Sequence, residues 1–226
     1  MSDLQWRGPL YGTTGTSTPF RADLSGAQIV ADGHGRFQEA ALRGTLFSAG
    51  MTVTSISNVT FTTGTLGATG TPIIGLWNPV GSGKNLVVLQ ARLQIVMTTL
   101  GARTGPGAFM WCVGVNQSAI TTGIVPFSRL SLVASGAVGK AYANTALTGL
   151  SGNLTVMEAA GVQGGPMPVS GTDVLGVVPY AAPSVDNIDG AIVLVPGSVL
   201  ALLCTTTPVG VSAASAILWE EVPALT

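Results

Sequence analysis

Between Asn85 and Thr98 the chain reads NLVVLQARLQIVMT. Apolar residues stand at Val87, Leu89, Ala91, Leu93, Ile95 and Met97, and polar ones at Gln90, Arg92 and Gln94. Successive side chains of an extended strand point to opposite faces, so this period of two predicts a strand with one buried face. At about 3.3 Å per residue it would run roughly 40 Å, long for a globular domain. Further strands are predicted at Met51–Phe61, Pro72–Trp77, Gly107–Val115, Val174–Val178, Ala191–Val195, Val199–Thr205 and Ala216–Val222. Ile217 and Trp219 alternate with Leu218 and Glu220 in the last of these. Helical potential is confined to Ser131–Leu150, Leu154–Gly161 and a short stretch at Arg36–Arg43. About eight strands, separated by turns drawn from 31 Gly and 13 Pro, predict an all-β protein, a β-sandwich of the jelly-roll kind.

The first 44 residues depart from this pattern. They carry four of the nine basic and four of the ten acidic residues, and a Gly/Thr stretch, GTTGTSTP, with no periodicity. Residues 1–44 are therefore expected to form an extended N-terminal arm, and residues 45–226 the sandwich domain. Charged residues make up only 8% of the chain, against about 25% in ordinary soluble proteins. With 46% hydrophobic residues and a net charge of −1, the composition is neither that of a disordered chain nor that of a protein that neutralises phosphates. Nucleic acid is not an expected partner. So few charges suggest that much of the surface faces other protein. The opening MSDLQWRGPL has no apolar core, so no secretory segment is expected. The charge-free stretches at 44–83 and 190–219 are broken by Pro72, Pro79, Pro196 and Pro208, so no membrane span is expected either.

Candidate chemistry is sparse. His34 is the only histidine, and it has neither a nucleophile motif nor a metal-ligand spacing around it. Gly81-Ser82-Gly83-Lys84 lacks the earlier glycine and the following hydroxyl of a phosphate loop and leads into a strand, so it reads as a turn. Asp186-Asn187-Ile188-Asp189-Gly190 has some of the oxygen ligands of a calcium loop but not its spacing, and an Asx-capped turn is the simpler reading. Glu220 and Glu221 are adjacent on a strand and point to opposite faces, so they cannot act as a pair. Cys112 and Cys204 lie in apolar runs, as small buried hydrophobes do. Asn58, Asn116 and Asn153 open sequons that read as chance matches in a Ser/Thr-rich chain. No catalytic, cofactor-binding or metal-binding residue is assigned, no cofactor is expected, and the chain is not read as an enzyme.

Two runs carry a resemblance. The segment from Gly35 to Gly50, and the segment Gly75-Leu76-Trp77-Asn78-Pro79-Val80-Gly81-Ser82-Gly83-Lys84-Asn85-Leu86 with the later Val195-Pro196-Gly197-Ser198, resemble structural proteins of tailed-bacteriophage virions. In those proteins a turn of this type opens a long strand. The resemblance implies a jelly-roll or related sandwich, a homodimer or homotrimer, and no catalytic residues. It implies a capsid cement or decoration protein on the capsid surface of a virion assembled in the host cytoplasm, with the major capsid protein as partner. The alternative it implies is a head- or tail-fibre module that binds a receptor. An arm that lies across a neighbouring subunit would extend the contact. Deleting residues 1–44 should accordingly weaken co-sedimentation with capsids while circular dichroism still reports a folded β domain. Undiminished co-sedimentation would contradict the role given to the arm.

Overall fold

A computed structural model describes residues 21–22, 28–29, 35–53, 65–66, 72–97, 108–115, 123–134, 136–142, 154–160, 184–204 and 211–224. The chain divides into two compact units, Met1–Glu39 and Ala40–Thr226. In the first, β1 (Arg21–Ala22) pairs antiparallel with β2 (Gln28–Ile29). The one helix among the described residues, α1 (Gln38–Leu42), falls within the expected Arg36–Arg43 stretch.

The second unit holds β3 (Leu46–Val53), β4 (Thr65–Leu66), β5 (Ile74–Trp77), β6 (Lys84–Met97), β7 (Phe109–Gly114) and β8 (Phe127–Ser128). It continues with β9 (Lys140–Tyr142), β10 (Leu154–Ala159), β11 (Ser184–Leu194), β12 (Val199–Cys204) and β13 (Val211–Pro223). A six-stranded sheet runs in the order β4-β10-β7-β12-β5-β9 and a five-stranded sheet in the order β11-β6-β13-β3-β8, all pairs antiparallel. Apolar side chains of both sheets share one core, among them Phe47, Leu76, Leu93, Trp111, Leu202, Ile217 and Trp219. The protein is an all-β sandwich. The narrower jelly-roll connectivity is not established by this strand order.

The long strand forms as its alternation predicts, with one correction. The buried core positions of β6 are Leu86, Val88, Ala91, Leu93 and Ile95, so Val87 lies on the outer side. The ladder to β13 pairs Leu218 with Gln90 but Trp219 with Val88, which leaves Leu89 as the extra residue of a β-bulge. A bulge shifts the two-residue phase by one. The run Leu86-Val87-Val88-Leu89 is apolar throughout, so the alternation could not reveal where the phase changes.

Leu154–Ala159, a stretch with helical potential, is instead β10. Its Thr155 and Val156 are β-branched, and it pairs with both β4 and β7. Nor is Ser131–Leu150 helical where it is described: it contributes a turn and β9. Strands β3, β11 and β13 begin earlier than their patterns suggest, because partner strands extend the pairing through small and polar residues. The strand expected at Val174–Val178, like the parts of other expected strands at 54–61, 98, 107 and 205, lies outside the described residues.

Strand β12 is buried on both sides. Leu200, Leu202 and Cys204 face the shared core, whereas Val199, Ala201 and Leu203 join Trp77, Cys112, Tyr142 and Leu154 in a second apolar layer. That explains why VLALLC is a continuous apolar run rather than an alternating one.

Polar side chains bridge the sheets at particular points. The Asn78 amide donates to the carbonyls of Lys84 (2.7 Å) and Leu194 (2.8 Å), tying the end of β5 to β6 and β11. The Trp111 indole donates to Asp186 Oδ2 at 2.8 Å, and the Ser215 hydroxyl to the Ile73 carbonyl at 3.3 Å. Buried Glu221 accepts from the Gly139 amide (2.9 Å) and from Lys84 Nζ (3.1 Å).

Gly75 sits beneath the Tyr142 ring, whose hydroxyl donates to the Leu200 carbonyl. A methyl group there would meet the ring and stand 2.8 Å from the Leu200 carbonyl oxygen. Gly75→Ala should therefore cost about 1–3 kcal/mol in urea unfolding. Gly136→Ala, with open space around the added carbon, should stay within about 0.5 kcal/mol. Equal effects would contradict the packing described for Gly75.

Candidate functional site

The residues singled out for chemistry are put to structural use. Among the described residues no three His, Cys, Asp or Glu side chains gather as metal ligands would. Cys112 and Cys204 are buried and not joined in a disulfide, and burial pushes the Cys112 thiol up to about 12, so it stays protonated. Gly81 and Gly83 have positive φ in the turn that opens β6, and Lys84 turns its ammonium to Glu221. In the acidic loop, Asp186 accepts from Trp111 and Asn187 Oδ1 accepts from Gln90 Nε2 at 2.8 Å. Asp189 (φ 54°) and Gly190 (φ 83°) make the left-handed turn by which β11 passes Leu89. Glu220 faces outward and accepts from the Thr45 hydroxyl, while Glu221 faces the interior. The structure thus keeps them apart. His34 and the sequon residues Asn58, Asn116 and Asn153 lie outside the described residues.

What the sequence did not single out is a hairpin at the edge of the five-stranded sheet. Strand β8 pairs with β3 on one side, and Phe127 bridges Ala134 on the other. Buried Ser128 organises the turn between them. Its hydroxyl accepts from the amides of Leu130 (3.2 Å) and Ser131 (3.4 Å), its carbonyl accepts from Leu132 (2.9 Å), and its amide donates to Val133 (3.2 Å). The Arg129 amide donates to the Leu46 carbonyl at 2.9 Å, fastening the turn to β3.

This well-bonded turn presents apolar side chains outward. Val125, Phe127, Leu130, Leu132 and Val133 are each 48% exposed or more, Leu132 reaching 72%. Single exposed apolar residues are ordinary, but five within nine residues form a patch, and such patches mark contact surfaces. Leu132 also has a φ of +59°, in the left-handed region that costs an L-residue roughly 1–2 kcal/mol. A leucine that gains no burial there is not explained by folding. The signal was present as V125-P-F-S-R-L-S-L-V, but its turn residues carry no Gly or Asn to announce a hairpin.

Beside the hairpin lies a shallow pocket of about 50 Å³, lined by Gln90 and Arg92 of β6, Arg129, and Ala216, Ile217 and Leu218 of β13. Arg92 Nε donates to Gln90 Oε1 at 2.9 Å. Hairpin and pocket together are the candidate site. No protein-family model, curated protein or solved structure matches the chain.

If Leu132 is strained and solvent-facing as its geometry indicates, Leu132→Gly removes the strain at a backbone-entropy cost of about 0.5–1 kcal/mol. Urea unfolding should then show no change or a gain of up to about 1 kcal/mol. A loss larger than that would mean that the side chain supports the fold.

Proposed function

We propose that the protein is a structural assembly protein, a β-sandwich that fastens neighbouring subunits together as a capsid cement or decoration protein does. The hairpin at 125–133 is its docking element. The observation that carries the reading is Leu132, a large apolar residue held in a strained conformation with 72% of its surface open to water. The left-handed residue closes the turn, but a glycine would do so without strain, and strained positions cluster at functional sites.

Magnitudes favour a repeated contact over a solitary one. Covering what remains exposed of five such side chains gains roughly 1 kcal/mol each, or about 5 kcal/mol in all. Association costs about 4–15 kcal/mol, so one hairpin on one partner gives at best weak binding. On a lattice, each further contact of an attached molecule becomes intramolecular, and weak contacts add to firm attachment. The sparse charge of the chain fits this use, since neutral surfaces are buried without the desolvation cost of ions. A partner lattice of major capsid protein, self-association into a dimer or trimer, and a place on the virion surface belong to the same proposal. The fibre-module reading gains no support from the described tryptophans: Trp77, Trp111 and Trp219 are all buried and offer no open face to a sugar ring.

The test is co-sedimentation with capsids that lack the protein, comparing wild type with a Phe127→Ser, Leu132→Asp double variant. Both side chains are exposed, so the variant should melt like the wild type. Attachment should fall by roughly tenfold or more, equivalent to about 1.4 kcal/mol per copy. Unchanged attachment by a folded variant would overturn the role of the hairpin.

A further inference from the structure

We propose that the pocket between Gln90, Arg92 and Arg129 receives a carboxylate side chain, an Asp or Glu of the partner protein, borne on the segment that covers the apolar hairpin. The inference rests on the docking surface proposed above and names what that surface recognises.

Three observations lead to it. First, two arginines and no acidic residue line the pocket. Arg92 makes one hydrogen bond, through Nε, and the guanidinium of Arg129 makes none among the described residues. Two like charges facing one concavity repel each other, and an anion seated between them relieves that repulsion.

Second, the Arg92 guanidinium is positioned rather than loose. Asn187 Oδ1 accepts from Gln90 Nε2 at 2.8 Å, and Gln90 Oε1 accepts from Arg92 Nε at 2.9 Å, so a relay from β11 orients the guanidinium. Because Nε is taken, the fork that Arg92 has left is the end-on pair of terminal amino groups. That pair matches the two oxygens of a carboxylate. Arg129 is fixed at its backbone by the bond to Leu46.

Third, the surroundings select the form of the anion. The outward side chains of Ala216 and Leu218 line it, Ile217 between them facing the core, and about 50 Å³ accommodates a flat carboxylate with little water. An apolar lining strengthens an ion pair and disfavours a heavily hydrated phosphate. Arg129 stands in the same turn as Leu130 and Leu132, so an acid in the pocket would sit beside whatever apolar residues cover them.

The experiment is a TROSY titration of the ¹⁵N-labelled full chain with N-acetylglutamate amide. N-acetylglutamine amide serves as the neutral isostere and inorganic phosphate as the free-ion arm. The expected result is saturable movement of the Arg92 and Arg129 Nε–H signals and of the Ala216 and Leu218 amides at millimolar carboxylate. The isostere should produce none, phosphate should bind more weakly, and an Arg92→Gln, Arg129→Gln double variant should show no movement. No saturable shift, equal shifts with the isostere, shifts that persist in the double variant, or tighter binding of phosphate would each overturn the assignment. The co-sedimentation assay separates this inference from the docking proposal. The double arginine variant should attach roughly tenfold less and lose the weakening that wild type shows as salt rises from about 50 mM to about 300 mM. If the hairpin variant abolishes attachment and the arginine variant leaves it and its salt dependence intact, the pocket inference fails and the docking proposal stands. If the probe binds but the hairpin variant attaches normally, the docking proposal fails, and with it the partner carboxylate as the occupant.

Discussion

Leu89 is one residue more than the ladder between β6 and β13 can pair, and the arrangement of the five-stranded sheet follows from where that residue is placed. Before it, Leu86 and Val88 face the core; after it, Ala91, Leu93 and Ile95 do. Had strict alternation continued from Val88, the inward positions would be Gln90, Arg92 and Gln94. Burying an unpaired guanidinium and two amides would cost far more than a bulge does. The extra residue therefore satisfies the core on both sides of itself, and in doing so delivers Gln90 and Arg92 to the outer face beside Ala216 and Leu218. Strand β11 accommodates the same residue with the four-residue detour from Ile188 to Ala191, made possible by left-handed Asp189 and Gly190.

The other end of the sheet shows a complementary economy of polar groups. Ser128 spends its hydroxyl, amide and carbonyl on one turn, so the hairpin keeps its shape without apolar anchoring at its tip. Rigid backbone with exposed apolar side chains is the combination that lowers the entropic cost of docking. The β6 face and the hairpin meet at the pocket, where Arg92 comes from the first and Arg129 from the second. The proposed contact surface is thus assembled from a bulged central strand and an edge turn, each held by its own hydrogen bonds.

Much of the fold was legible. Alternation located β6 and the end of β13, Gly and Pro located the turns at 78–83 and 195–198, and the continuous apolar run of β12 marked a buried strand. Three features were not. A bulge inside the four apolar residues Leu86 to Leu89 leaves no trace in a two-letter pattern, because both phases fit it. Strand β10 looked helical since Leu154, Met157, Glu158 and Ala159 are good helix formers, and only pairing with β7 decides otherwise. The hairpin escaped notice because its turn is built by a buried serine rather than by glycine or asparagine. Which apolar side chains stand outward on that turn depends on exposure, which sequence does not give.

The bulge is the point at which this account is most exposed to test. Deleting Leu89 removes the extra residue and joins Val88 to Gln90, which leaves Leu86, Val88, Ala91, Leu93 and Ile95 inward in one unbroken alternation. Deleting Arg92 instead keeps the bulge and turns Leu93 and Ile95 outward and Gln94 inward. Thermal unfolding followed by circular dichroism should show a cooperative transition for the Leu89 deletion, and for the Arg92 deletion a further loss of about 3 kcal/mol or more, or no cooperative transition at all. An Arg92 deletion tolerated as well as the Leu89 deletion would contradict the claim that Leu89 is the residue at which the phase of β6 changes.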